Sequence, residues 1–486
     1  MTNTILNFID GEYREPESGS WLDNVCPADG TISGTIADSN TADVQSAYRA
    51  ASKAFESWSE TTVDQRCSIL MKIADLIDQN LETLSVAESE DSGKPVSRAR
   101  SIEIPRAASN FRFFASAITQ FASESHESVG QKAINFTLRQ PIGVVGCISP
   151  WNLPLYLFSW KIAPAIATGN CVIAKPSELT PRTAFLLAEL CNQAGLPPGV
   201  LNIINGSGAT AGQAILDHPR IKAISFTGGT TTGKHVASVV APQFKKLSLE
   251  LGGKNPNIIF ADCNYEKMLQ TTVHSSFANQ GQICLCGSRI FVEASLYGKF
   301  RDDFVAKTKK LVVGHPALPK STIGALVSKP HLEKVLSYIE LAKSGPQSDQ
   351  ATILTGGDRA TVEGFENGFY VQPTIIEVAS NQCRLNQEEI FGPVVTMMPF
   401  ATESELVELA NDIEYGLSTT IWTRDLDRTM RLSKKIESGV VWVNSWLMRD
   451  LRTPFGGMKN SGVGREGGLE ALRFFTEPKN VCISFD

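Results

Sequence analysis

From residue 142 onward, short apolar runs alternate with stretches in which apolar side chains recur at helical spacing. Strands are predicted at 142–148, 171–174, 200–204 and 221–226, with helices at 157–168, 181–194, 209–217 and 231–240. That rhythm predicts a parallel sheet covered by helices, a Rossmann-like α/β unit whose ligand lies at the carboxyl ends of its strands. A further strand is predicted at 245–250. A second α/β unit follows from about 253, with strands at 257–260, 289–292, 394–398, 419–422 and 440–443.

Ahead of this region, residues 7–40 read as short strands and turns, with Asp10-Gly11 marking a hairpin. Helical spacing follows at 41–58, 63–81 and 101–121, the last carrying Ile102, Ile104, Phe111, Phe113, Phe114 and Ile118. At 133–139 the period changes to two. Ile134, Phe136 and Leu138 alternate with Asn135, Thr137 and Arg139, which predicts a strand with one buried face. A similar extended stretch at 480–485 ends the chain, and an unpaired edge there would need covering.

Composition narrows the class. With 486 residues, 42% of them hydrophobic and 20% charged, there is room for two or three domains and a large core. A net charge of −6 without any lysine or arginine block argues against a nucleic-acid partner. The first ten residues lack the basic and apolar segments of a secretion signal, and no apolar run approaches the roughly 20 residues that span a bilayer. Ten cysteines without framework spacing point to reduced thiols in the cytoplasm. Cys284 and Cys286 form C-x-C rather than the C-x2-C of zinc sites, and the nearest histidine is His274, so no metal is expected.

Three residues stand at element ends with matching chemistry. Phe277-Ala-Asn-Gln-Gly-Gln-Ile-Cys284 closes a helical pattern on a cysteine, Glu250 closes a strand, and Asn152 follows one. Singly, each has a bland explanation, because most cysteines are inert core residues and most glutamates are solvated. Together, a thiol, a carboxylate and an amide donor fit thiol-based acyl chemistry, with nucleophile, water-activating base and oxyanion donor. No G-x-G-x-x-G fingerprint occurs. Phe226-Thr227-Gly228-Gly229, with Gly233 beyond, runs from strand into helix instead, as either a plain glycine turn or a dinucleotide's pyrophosphate seat. Lys175-Pro176-Ser177-Glu178 follows another strand, where a solvated ion pair is the simpler alternative.

The motifs PWN (150–152), KPSE (175–178), FTG with its later glycine (226–233), LELGGK (249–254), FxNxGQxC (277–284), EEIFGPV (388–394) and PFGGxKxSG (454–462) resemble those of the NAD(P)-dependent aldehyde dehydrogenase superfamily. The resemblance runs over almost the whole chain, in the family's order. It implies an NAD-binding domain (1–122 and 142–252), a catalytic domain (253–452) and a small β oligomerisation flap (123–141 and 468–486). It also implies a homodimer or homotetramer. Cys284 would be the nucleophile, Glu250 the base and Asn152 the oxyanion donor. Trp151, Lys175, Ser177, Glu178, Gly208, Phe226, Thr227, Gly228, Gly229, Gly233, Glu389 and Phe391 would hold the cofactor.

A carboxylate at Glu178 would repel a 2′-phosphate, which favours NAD over NADP. Glu250 implies release of a free acid rather than transfer to coenzyme A. Two departures stand out: Gly229 where many relatives have serine, and Ile283 where many have a second cysteine. Some members of the superfamily are inactive structural proteins, but those lose catalytic or cofactor residues that are kept here.

Segments around Ile104-Pro-Arg106 and Asn444–Phe455 resemble the branch that oxidises 2-aminomuconate and 2-hydroxymuconate semialdehydes. Arg106 and Arg449 would then grip the substrate's distal carboxylate. The alternative is a broad-specificity or betaine-type enzyme, whose cationic substrate these arginines would repel.

Overall fold

The computed structural model describes residues 3–345 and 351–485. Residues 1–2, 346–350 and 486, small parts of the segments assigned above, lie outside it. Two large sheets organise the chain, each α/β and mostly parallel.

In the first sheet the strands Lys246–Glu250, Ala223–Thr227, Val144–Ile148, Cys171–Lys175 and Leu201–Ile203 lie side by side and parallel. Every residue of the last three is buried, as expected of strands covered on both faces. Gly462–Val463 adds an antiparallel edge on one side, and Asn7–Ile9 with Glu12–Arg14 on the other. The chain steps outward from Val144–Ile148 through Cys171–Lys175 to Leu201–Ile203, then returns to the opposite side with Ala223–Thr227. That reversal creates a crevice between the carboxyl ends of Val144–Ile148 and Ala223–Thr227, the place where doubly wound sheets bind ligands. Helix Pro154–Ala167, buried at every position except Leu157, seals one face of the sheet.

The second sheet runs Ala351–Thr355, Thr374–Val378, Val394–Phe400, Arg289–Glu293, Pro256–Ile259, Ser418–Trp422 and Val440–Val443. All neighbours are parallel except the first pair. The apolar pattern leaves the first two of these strands unassigned. Thr374–Val378 is short and almost wholly buried, so it shows no period of two, and Ala351–Thr355 is a half-buried edge.

Other boundaries shift as well. The helix expected over 63–81 ends at Gln79, and a separate helix, Leu81–Ser92, follows. The helix expected over 101–121 is a π-helical turn, Ala99–Glu103, leading into Ile104–Thr119 with Pro105 in its first turn. The C-terminal strand is longer than its apolar stretch. Thr476–Ser484 pairs antiparallel along its whole length with Ala133–Pro141, which also pairs with Ser125–Ser128. Among the described residues no helix is long and apolar enough to cross a membrane.

Candidate active site

The F-x-N-x-G-Q-x-C stretch is a chain reversal. After helix Tyr265–Phe277, Asn279 and Gln280 take φ values of 51° and 57°, and Gly281 follows at 71°. Left-handed backbone disfavours side chains, so such a turn persists only where its surroundings fix it. Here three amide side chains do so. Asn279 Nδ2 donates to the Asn152 carbonyl at 3.0 Å, Gln280 Nε2 to the Ala325 carbonyl at 3.2 Å, and Gln282 Oε1 accepts from Val327 N at 3.1 Å. Glycine is required at 281, where a Cβ would lie 2.0 Å from the Gly392 carbonyl. Asn255 Nδ2 donates to the carbonyls of Cys284 and Cys286, at 2.6 and 2.9 Å, and fixes the end of the turn.

This turn brings Cys284 to the mouth of the first sheet's crevice. A cavity of about 170 Å³ opens there, walled by Trp151, Asn152, Thr227, Gly228 and Gly229 from the first sheet's loops and by Glu389, Phe391 and Cys284 from the other side. The Asn152 side-chain amide donates one hydrogen to the Gln282 carbonyl at 2.9 Å, which sets it against the Cys284 turn. Glu389 Oε1 accepts from Gly253 N at 2.9 Å, and a Cβ on Gly252 would sit 2.3 Å from its other oxygen, which accounts for glycine at 252. Phe391, at φ 62°, stands edge-on to Trp151, with ring centroids 5.3 Å apart. His331 donates from Nε2 to the Phe391 carbonyl at 2.7 Å, and burial holds its pKa down at about 4, so it is neutral at physiological pH.

Phe226 and Gly233 stand behind this wall rather than on it. The Phe226 ring packs under Gly228, and a Cβ on Gly233 would lie 2.4 Å from Leu251. Lys175, Ser177, Glu178 and Gly208 group separately, past the next strand. Lys175 Nζ meets Glu178 Oε2 at 3.1 Å and the Pro176 carbonyl at 3.0 Å. Burial pushes the Glu178 carboxyl up, but Lys175 and backbone amides including Gly208 more than offset it, and its pKa falls below the ordinary value.

On the far side of Cys284 a smaller cavity, about 40 Å³, is lined by Glu250, Tyr156, Trp160, Arg449, Phe455 and Glu466. Glu250 is buried and neither of its carboxyl oxygens has a hydrogen-bond partner among the described residues. Burial and then the nearby Glu466 carboxylate raise its pKa well above the usual range, with Lys161 and Arg449 pulling the other way. Burial, Glu389 and Glu250 likewise raise the Cys284 thiol. Glu466 accepts from Lys161 Nζ at 2.8 Å and from Ser225 Oγ at 3.0 Å.

Arg449 also lines a wide cleft of about 1130 Å³ together with Arg106. Its guanidinium lies between the rings of Phe455 and Trp160, at 4.0 and 5.0 Å, and donates to the Tyr156 hydroxyl at 3.0 Å. Arg106 stands 5.5 Å over the Tyr156 ring, its Nε buried without a partner. Glu466, His331 and Tyr156 escaped sequence reasoning, because each is a single residue whose partners are distant in the chain.

The aldehyde dehydrogenase family model matches residues 13–481. The chain is 48% identical to a 2-aminomuconic semialdehyde dehydrogenase of Danio rerio, over 98% of this chain and 97% of that one. It is 43% identical to a 2-hydroxymuconic semialdehyde dehydrogenase of Pseudomonas sp. (strain CF600), over 99% of each. Among solved structures, a betaine aldehyde dehydrogenase from Staphylococcus aureus in complex with NAD+ superposes with a TM-score of 0.95 at 35% identity, covering 99% of this chain and 97% of that one.

Because Glu389 is, after burial, the strongest influence holding the proton on Cys284, Glu389→Gln should lower the thiol pKa. Alkylation of Cys284 by iodoacetamide at pH 8, followed by peptide mass spectrometry, should run a few-fold faster in this variant, since only the thiolate reacts. An unchanged or slower rate would mean that Glu389 does not set the potential at the thiol.

Proposed function

The chain belongs to the aldehyde dehydrogenase family, and from that premise we propose that it uses NAD to oxidise a semialdehyde with a distal carboxylate, 2-aminomuconate or 2-hydroxymuconate 6-semialdehyde, to the dicarboxylate. The observation that carries the substrate is the pair of arginines. Among the described residues neither Arg106 nor Arg449 forms an ion pair, although Arg449 is enclosed by two aromatic rings and Arg106 Nε is buried unpaired. A half-buried guanidinium without a counter-ion is matched by a carboxylate ligand, whose two oxygens fit its fork of donors. The names of the two relatives point the same way.

The cofactor reading rests on this chain's own features. Gly229 is the N-cap of helix Thr230–Val240 and no side chain caps it, so backbone amides at the helix start remain to meet a pyrophosphate. An ionised Glu178 beside Lys175 suits ribose hydroxyls and opposes a 2′-phosphate. Bound NAD supplies the hydride acceptor.

Ionised Glu250 takes the Cys284 thiol proton as the sulfur bonds the aldehyde carbon, and passes that proton to solvent before the hydrolytic half of the reaction. The oxyanion that forms is held by the free hydrogen of the Asn152 amide and by the Cys284 N–H, and loss of one such donor costs about 3 kcal/mol, roughly a hundredfold in rate. Once hydride has left, the acyl group is a thioester on Cys284. Glu250 then takes a proton from water as the water oxygen bonds the acyl carbon, and the thiolate departs. Its raised pKa makes Glu250 a stronger base than a solvated carboxylate.

Assembly and location follow the same reading. The exposed outer edge of Thr476–Ser484 is a strand edge that a second copy would cover, in a homodimer or homotetramer. Among the described residues the cysteines form no disulfide, as suits the cytoplasm. Removing residues 480–486 should lower the assembly mass measured by light scattering, and an unchanged mass would remove that edge from the interface.

For the substrate, Arg449→Ala and Arg106→Ala should each raise KM for 2-hydroxymuconate 6-semialdehyde by about ten- to a hundredfold, the worth of a charge-assisted hydrogen bond. KM for a neutral aldehyde should move by less than about threefold on the same grounds. Equal effects on both substrates, or a wild-type preference for betaine aldehyde, would remove the carboxylate-binding role. For the chemistry, Cys284→Ala should abolish NADH formation while NAD still binds, and Cys286→Ala should retain turnover. Turnover by the Cys284 variant would refute the mechanism.

A further inference from the structure

One fully buried lysine takes no part in the chemistry described so far. Helix Leu81–Ser92 ends at Gly93, whose φ is 74° and whose Cβ, if it had one, would lie 2.6 Å from the Ala325 carbonyl. This tight turn sends Lys94 inward, and its side chain has no solvent exposure. An ammonium carries three donors, and lysine is among the residues least often buried unless it is paired. Lys94 Nζ donates to Glu88 Oε1 at 3.2 Å and to the main-chain carbonyl of Asn152 at 3.1 Å, and it faces Glu103 Oε2 at 4.0 Å.

Glu88 completes a clamp. Its second carboxyl oxygen accepts from Leu155 N at 3.3 Å and from Thr183 Oγ1 at 3.1 Å. The Glu88–Lys94 pair therefore grips the loop on both sides of Leu153-Pro154, by the carbonyl of Asn152 and by the amide of Leu155. Asn279 Nδ2 donates to the same Asn152 carbonyl, so this one oxygen ties the clamp to the turn that delivers Cys284. Glu103, with no solvent exposure, also accepts from Arg98 Nε at 3.0 Å, and Arg98 lines the cavity beside Cys284.

We propose that Lys94, anchored by Glu88, is a positioning residue that fixes the Asn152 main chain so that its side-chain amide meets the developing oxyanion at Cys284. The inference rests on the oxyanion role of Asn152 proposed above. Simple stabilisation of the fold is the competing explanation for a buried ion pair, and it makes a different kinetic prediction. A clamp that acts only through the Asn152 amide has nothing left to position once that amide is gone. A scaffold role costs the same in both backgrounds.

The test is a double-mutant cycle on the full-length enzyme with Lys94→Met, Asn152→Ala and the double variant, reading kcat with a neutral aldehyde at saturating NAD, and NAD affinity separately. Lys94→Met should lower kcat by at least about tenfold, and by no more than Asn152→Ala does, because a misplaced donor loses at most the full donor. NAD affinity should stay within about twofold, and the double variant should match Asn152→Ala within about twofold. Equal loss in both backgrounds, or an unaltered kcat in Lys94→Met, would overturn the proposal.

Thr183→Val, which removes one hydrogen bond to Glu88 without altering the lysine, serves if the first variant does not fold. It should show a smaller kcat loss that likewise vanishes in the Asn152→Ala background, and persistence there would overturn the proposal. Undiminished turnover in Asn152→Ala alone would instead sink the oxyanion reading, and the positioning role with it.

Discussion

The left-handed reversal at Asn279–Gly281 is the constraint on which the site depends. Each non-glycine residue held there costs on the order of 1 kcal/mol, and the cost is met by hydrogen bonds that reach into both halves of the molecule. Asn279 bonds the loop after Val144–Ile148, in the first sheet. Gln280 and Gln282 bond Ala325 and Val327, in the second half of the chain. The Asn279 contact that helps hold the strained turn also ties one α/β unit to the other. If the turn relaxed, Cys284 would lose its place between the two cavities, and the crevice at the first sheet's switch point would lose its far wall.

Charge around the thiol follows from that placement. Burial raises the pKa of both Cys284 and Glu250; Glu389 from one cavity and Glu250 from the other add to it at the thiol, and Glu466 adds to it at Glu250. Burial and the neighbouring carboxylates thus both disfavour the charged forms of these two groups. Arg449 acts on both, drawing each toward ionisation. It is also the group that spans the inner cavity and the outer cleft. An anion bound to Arg449 would weaken that pull, so under the proposed substrate reading recognition and proton release would share one side chain.

Much of this was legible in the sequence because the motif residues carry local backbone demands. Gly281 is glycine for its approach to Gly392, Gly252 for its approach to Glu389, and Gly233 for its packing on Leu251. These demands recur at fixed spacings, so they can be read without a structure. Lys94, Tyr156, His331 and Glu466 could not be read that way. Lys161 and Glu466 are 305 residues apart, and Lys94 lies 58 residues from the carbonyl it holds. No periodicity links such pairs, and a lone lysine or glutamate defaults to a solvated reading. Of the missed strands in the second sheet, Thr374–Val378 failed for a related reason, since a short strand buried on both faces shows neither a period of two nor a helical one.

Fold alone does not decide the substrate, because a betaine aldehyde dehydrogenase superposes on this chain almost completely. The decision rests on side chains that line the approach to Cys284. A cationic substrate would have to pass Arg106 and Arg449, neither of which is neutralised by an ion pair among the described residues, and like charges in a half-buried cleft repel with little screening. For a carboxylate the same geometry is prepared in advance. Arg449 is held between Trp160 and Phe455 and tethered to the Tyr156 hydroxyl. Its rotamer freedom is therefore spent in folding rather than on binding. Ordering a long side chain at the moment of binding costs about 0.5–1.5 kcal/mol, and an arginine already fixed in place contributes that much more to holding an anion than a mobile surface arginine would.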